Sequence, residues 1–171
     1  MVPSPKVATY DKDPKMNAHG VAEKVAELLK KGEHEFIMCN FAPPDMVRIF
    51  CSFSAYLLCA EDFNKVGHTG IYDAAVEAIS ETDEAVGTIA KAAKEAGYVL
   101  AITADHGNAE QMINLETGAP HTAHTTNPVP FIVTGGVKLV SDDRADEGSE
   151  EQEPGALCDV APTILAIMVC A

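Results

Sequence analysis

Two stretches of this chain repeat one pattern, and that pattern limits the fold more than any other feature. Each is an amphipathic helical segment, closed by a glycine and followed at once by a short, continuously apolar run. In the first, Asn17 can cap a helix whose Val21, Val25, Leu28 and Leu29 fall on one stripe. Lys30 and Lys31 suit the negative end of the helix dipole, and Gly32 stands where a C′ glycine ends a helix. Gly20 is a weak spot near the start. Glu35–Phe41 then reads as a buried strand before Pro43-Pro44. In the second, residues 71–96 form the clearest helix, with Tyr72, Val76, Ile79, Val86, Ala90 and Ala93 expected on one face and Gly97 closing it. Tyr98–Thr103 follows as a second strand. A third strand is expected over Val129–Thr134, and a last helix over Asp159–Met168, with Pro162 tolerable in its first turn. Strands that are apolar throughout are covered on both sides. The expected fold is therefore α/β, a mostly parallel sheet with helices on both faces.

Composition excludes several classes of function. Acids outnumber bases by 26 to 12, a formal net charge of -14. A nucleic-acid binder needs a basic footprint and a membrane-surface protein a polybasic patch, so no nucleic acid and no membrane is expected as partner. The longest mostly apolar stretch, Ile49–Ala60, is too short to span a bilayer. Much of the charge sits in residues 142–153, which read as a solvated loop. The five cysteines are odd in number and form no CxxC pair, which argues against a zinc ribbon or disulfide framework and for reduced thiols in the cytoplasm. No internal repeat or flexible linker marks a second domain, so residues 1–171 are read as one domain.

In α/β sheets, chemistry gathers outside the carboxyl ends of strands. Asp45 follows the first expected strand, and Asp105 and His106 follow the second. Two further segments carry histidine: Val66-Gly67-His68-Thr69-Gly70, and Pro120-His121-Thr-Ala-His124-Thr-Thr-Asn127. Carboxylate and imidazole together suit Zn²⁺, Mn²⁺ or Fe²⁺, where carboxylate alone would favour Mg²⁺ or Ca²⁺. Each residue also has a plainer reading. An Asp-His pair in a loop is commonly a surface hydrogen bond, His68 can cap a helix, and His121 can face solvent or orient a neighbour. His19 and His34 have no assigned role, and Glu77, Glu81, Asp83, Glu84 and Glu95 read as a solvated helix face. No G-x-S-x-G elbow, G-x-G-x-x-G or Walker A loop is present, which weakens triad-hydrolase and nucleotide-binding readings.

Thr103-Ala-Asp-His-Gly-Asn-Ala-Glu110 together with Pro120-His-Thr-Ala-His-Thr-Thr-Asn-Pro-Val-Pro130 resembles the metal-binding heart of the cofactor-independent (2,3-bisphosphoglycerate-independent) phosphoglycerate mutases. Residues 3–11, 40–47 and 155–165 match the same family in the same order. The resemblance implies a partial alkaline-phosphatase-like three-layer sandwich. It implies a cytoplasmic glycolytic isomerase interconverting 3-phosphoglycerate and 2-phosphoglycerate, with two Mn²⁺ ions (Mg²⁺ in some members), and a monomeric full-length enzyme. A serine nucleophile, activated by metal coordination, takes the phosphoryl group and returns it to the other hydroxyl, while paired metals stabilise the charge in transfer. By the same resemblance, Asp45, His68 and His124 match the ligands of one metal, and Asp105 and His106 match ligands of the other.

This sequence departs from the family pattern. The N-terminal strand with its metal-binding Asp and nucleophilic Ser has no counterpart, nor has the transferase domain. Ser4, Ser52, Ser54, Ser80, Ser141 and Ser149 lie in no matching motif, so no catalytic serine is expected here. The family's Asp-Met-Val-Gly-His is interrupted: residues 48–65 and a second valine stand between Asp45-Met-Val47 and Gly67-His68. That segment is read as a retained intron or as a loop insertion whose ends return together. The expected activity of the chain alone is therefore metal binding without turnover. The alternatives are a non-catalytic metal-binding fragment, or a different phosphatase or mutase of the alkaline-phosphatase superfamily.

Overall fold

A computed structural model describes residues 2–3, 12–41, 47–52, 71–137 and 155–170. The elements run α1 (Ala18–Lys31), β1 (Phe36–Phe41), β2 (Val47–Ser52), α2 (Tyr72–Ala96), β3 (Val99–Thr103), β4 (Phe131–Val133) and α3 (Val160–Cys170), the last entered through a short 3-10 turn at Leu157–Asp159. Asp45, His68 and the acidic residues 142–153 lie outside the described residues.

The glycine stops behave as the sequence predicts. Gly32 has φ 64° and donates its N–H to the carbonyls of Leu28 and Leu29. At the end of α2, Gly97 has φ 77° and Tyr98 donates to the Ala93 carbonyl at 2.8 Å, a Schellman closure. Asn17 occupies the N-cap position of α1 but makes no side-chain cap. Its amide instead donates to the Pro3 carbonyl at 2.8 Å, and its Oδ1 sits where a Cβ on Gly20 would be. The glycine that looks weak in the sequence thus makes room for that side chain.

α1 and α2 pack on one another through small residues. α1 buries Ala18, Ala22, Val25, Ala26 and Leu29, and α2 buries Ala74, Ala75, Ala78, Thr82, Ala85, Ile89, Ala92 and Ala93. Most of these join Ile37, Cys39 and Phe41 of β1 and Leu100 of β3 in one core. This overturns the expected face of α2. Of the residues expected to share it, Ala93 is buried, Val86 and Ala90 are partly buried, and Tyr72, Val76 and Ile79 are exposed. The physical reason is close approach: two helices in tight contact select alanine, so the largest apolar residues do not mark the seam.

The four strands lie in the order β1-β2-β3-β4, and every pairing is antiparallel. The α/β class stands, but the mostly parallel pairing expected from the sequence does not hold among the described residues. β1 and β3 do point the same way. β2, drawn from the start of the 48–65 segment, lies between them and runs against both, pairing Phe41 with Val47 on one side and Arg48 with Thr103 on the other. Continuous apolar character reports burial of a strand, not its direction. Burial itself is as expected on β3: Leu100 and Ala101 are successive and both buried, so both faces are shielded. α1 and α2 lie against β1 and β3, while α3 meets β2. No helix among the described residues is long and apolar enough to cross a membrane.

Candidate metal centre

β3 ends at Thr103, and the chain leaves the sheet through buried Ala104 into Asp105-His106-Gly107-Asn108. The second loop returns alongside it. Gly107 and Thr125 form an antiparallel bridge, with N–H···O bonds in both directions at 3.3 and 2.8 Å. A second bridge joins Ile113 and Pro120, and His121 N–H donates to the Met112 carbonyl at 2.8 Å. Two backbone ladders therefore fix the register of the histidine-bearing loop against the Asp-His loop.

His106 and His124 immediately precede the two bridged residues, Gly107 and Thr125. Their rings stack with centroids 3.6 Å apart and planes 15° apart. Asp105 Oδ1 lies 3.7 Å from His106 Nε2, and His106 Nδ1 is 3.3 Å from the Gly107 carbonyl. Asp105 and His124 are exposed and His106 is partly exposed, so the group opens to solvent. Of the five expected ligands, the structure thus sets His106 beside both Asp105 and His124, as two pairwise contacts. The other two, Asp45 and His68, lie outside the described residues. Among the described residues alone, no group of three or more His, Cys, Asp or Glu converges to hold an ion. The donor set nevertheless fits a divalent transition ion in kind, as two imidazoles and a carboxylate at one strand end.

Glu110 is the residue that sequence reasoning passed over. Its carboxylate accepts from the Thr125 hydroxyl, from Asn127 Nδ2 at 2.8 Å and from the Asn108 N–H at 2.6 Å. Burial pushes its carboxyl up, but these donors and its own backbone N–H outweigh that and hold it below the usual carboxylate range. Gly107 leaves the space for this contact, since a Cβ there would meet Thr125 Oγ1 and Glu110 Oε1. The signal available in the sequence was a glutamate within reach of hydroxyl- and amide-bearing Thr125 and Asn127. Buried Asn108 adds a further tie, donating from Nδ2 to the Ala123 carbonyl at 3.3 Å. Its Oδ1 and His121 Nδ1 are shielded and have no hydrogen-bond partner among the described residues, so that nitrogen of His121 does not face solvent.

Away from this centre, His19, given no role by its sequence, lies 2.7 Å from Glu81 Oε2, and Lys15 donates to Glu81 Oε1 at 2.5 Å. Glu81 is therefore a strut between the start of α1 and α2 rather than part of a purely solvated face. Cys39 and Cys158 are not in disulfides.

The 2,3-bisphosphoglycerate-independent phosphoglycerate mutase of Caenorhabditis elegans is 52% identical over 169 residues, covering 98% of this chain and 26% of its own length. That of Onchocerca volvulus is 48% identical over 168 residues, covering 98% and 28%. The second such mutase of Methanosarcina barkeri is 42% identical, covering 98% and 26%. The chain thus spans about a quarter of the length of these curated relatives. Among solved structures, a Leishmania mexicana phosphoglycerate mutase, determined at low cobalt concentration, superposes with a TM-score of 0.66 and 26% identity. That match covers 90% of this chain and 30% of the other. The sequence pattern of the Metalloenzyme superfamily matches residues 1–48 and 51–171. Because that pattern runs through both histidine- and aspartate-bearing loops, the chain belongs to the Metalloenzyme superfamily.

Proposed function

We propose that this chain supplies divalent-metal ligands to a phosphoglycerate-interconverting site, with Asp105, His106 and His124 at its centre and Asp45 and His68 completing it. The observation that carries the reading is the stacking of His106 on His124 beside Asp105, at the end of a buried strand. The names and identities of the relatives support phosphoglycerate as the substrate. The Leishmania protein's cobalt supports a divalent ion, and the imidazole-rich donor set favours Mn²⁺ over Mg²⁺.

A bound divalent ion would supply positive charge to phosphoryl oxygens. The chain's own contribution is to orient two imidazoles and a carboxylate at a fixed spacing. Asp105 stays accessible from solvent, and His106 is held by its neighbour's carbonyl. No serine of this chain stands in these loops, so the nucleophile is assigned to polypeptide outside these residues and the chain alone to metal binding without turnover. Residues 48–65, between Asp45 and His68, are read as an insertion or a retained intron.

Titration of the 171-residue chain with Mn²⁺, followed by the loss of the free-ion electron paramagnetic resonance signal, tests this. Saturable binding that is lost in His124→Ala and weakened in Asp105→Ala is expected, with no conversion of 3-phosphoglycerate. Unchanged binding in both variants would remove these residues from the site, and measurable conversion would overturn the assignment of the nucleophile elsewhere.

A further inference from the structure

We propose that Glu110 is a positioning residue, whose carboxylate clasps the two ligand-bearing loops and holds His124 against His106. Its importance for metal rests on the function proposed above, whereas the ring juxtaposition does not.

Three groups point hydrogens at this carboxylate: the Thr125 hydroxyl, the Asn127 amide and the Asn108 N–H. An ionised carboxylate accepts at both oxygens and donates nothing, so it can satisfy all three. A glutamine loses the charge, and its NH₂ faces either the Asn108 N–H or, on the other side, the Thr125 hydroxyl and Asn127 amide, which must then both turn round to accept. The clasped groups flank the histidines directly. Thr125 follows His124, and Asn108 lies one residue beyond the Gly107 that follows His106. Asn108 also reaches across to the Ala123 carbonyl, on the other side of His124. Both backbone neighbours of His124 are therefore tied to the Asp-His loop, one through Glu110 and one through Asn108. The Gly107–Thr125 bridge lies between, and only a residue without a Cβ at 107 lets the carboxylate and hydroxyl meet there. Charge-assisted hydrogen bonds of this kind are the stronger ones, and groups that orient metal ligands are commonly as necessary as the ligands themselves.

The test uses the 171-residue chain and two readouts. One is the nuclear Overhauser effect between the His106 and His124 ring protons in metal-free protein. The other is Mn²⁺ affinity. Glu110→Gln should abolish the ring-to-ring effect and weaken Mn²⁺ binding about 10- to 100-fold. Thr125→Val should do the same in part, and Thr125→Ser, which keeps the hydroxyl, should restore both. Amide spectra of α1 and α2 report whether the fold survives. If Glu110→Gln does not fold, the Thr125→Val and Thr125→Ser pair decides the matter by the same criteria. An unchanged ring effect and unchanged affinity in Glu110→Gln would overturn the positioning role while leaving the proposed function intact. A ring effect lost in Glu110→Gln, in a chain that never binds Mn²⁺, would support the clasp and overturn the metal reading instead.

Discussion

Replacing Ile89 by alanine, and separately Ile79 by alanine, tests which face of α2 carries the fold. Both are isoleucines of one helix, so side-chain chemistry and intrinsic helix propensity cancel in the comparison. Ile89 is 0% exposed in the shared core, whereas Ile79 is 47% exposed. Truncation removes the Cγ1, Cγ2 and Cδ1 carbons. At about 0.8 kcal/mol per buried carbon, the transfer loss at Ile89 is about 2.4 kcal/mol. The cavity left in the shared core raises the cost to roughly 3–4 kcal/mol. At Ile79 about half of the transfer contribution is already absent in the folded state, and no enclosed cavity forms. A cost of about 1 kcal/mol or less is expected there, part of it returned by alanine's better helix propensity. Urea unfolding followed by far-ultraviolet circular dichroism separates the two. With a urea slope of about 1–3 kcal/mol per molar, Ile89→Ala should lower the midpoint by more than about 1 M and Ile79→Ala by a fraction of that. An Ile89→Ala chain already unfolded in buffer, beside a folded Ile79→Ala chain, is the same result in the extreme. Equal midpoints, or the larger loss at Ile79, would refute the alanine seam.

Two further outcomes follow from contacts outside the candidate site. Tyr98→Phe removes a hydroxyl that donates to the His34 carbonyl at 2.7 Å and should cost about 1 kcal/mol, read as a lowered urea midpoint; no change would mean that water replaces the bond without loss. Hydrogen bonding from Lys15, then from His19, holds the Glu81 carboxyl below its ordinary value of 4.5. A folded-state pKa below the unfolded one gives stability that is full above that ordinary value and lost as pH falls through the lowered one. The midpoint advantage of the parent chain over Glu81→Gln should therefore shrink on acidification below about pH 4.5, and a difference that stays constant down to about pH 3 would exclude the ion pair as its source.

The elements with strong local signals were legible in the sequence. α1 with Gly32, α2 with Gly97 and the strand before Asp105 all stand within a residue or two of their expected limits, because helix stops and apolar runs are written in neighbouring residues. The pairing of β2 was not legible. Its residues fall where the family-like motif breaks off, and strand direction depends on which partners meet rather than on the strand's own pattern. The buried face of α2 was misread for a related reason: bulk marks a core that must be filled, while a seam between two close helices is marked by its absence. At the site, the aspartate and histidine loops were recognisable from motif alone. Glu110 was not singled out, since its importance lies in three donors brought to it by a bridge at Gly107 and Thr125.

β2 meets β1 across residues 42–46, but it meets β3 only after the whole of α2 has been laid down between them. The first pairing is a local closure of microseconds, while the second must await distant chain and is intrinsically slow. In time, the molecule is therefore expected to form in two acts: α1, β1 and β2 as a local unit, then β3 arriving with β4. Until that arrival the outer edge of β2 stands bare, a template for any other extended chain. The pairing of Arg48 with Thr103 closes the end of that ladder next to Asp105. The loop that carries the aspartate and histidine thus hangs from the pairing with the longest chain separation in the sheet.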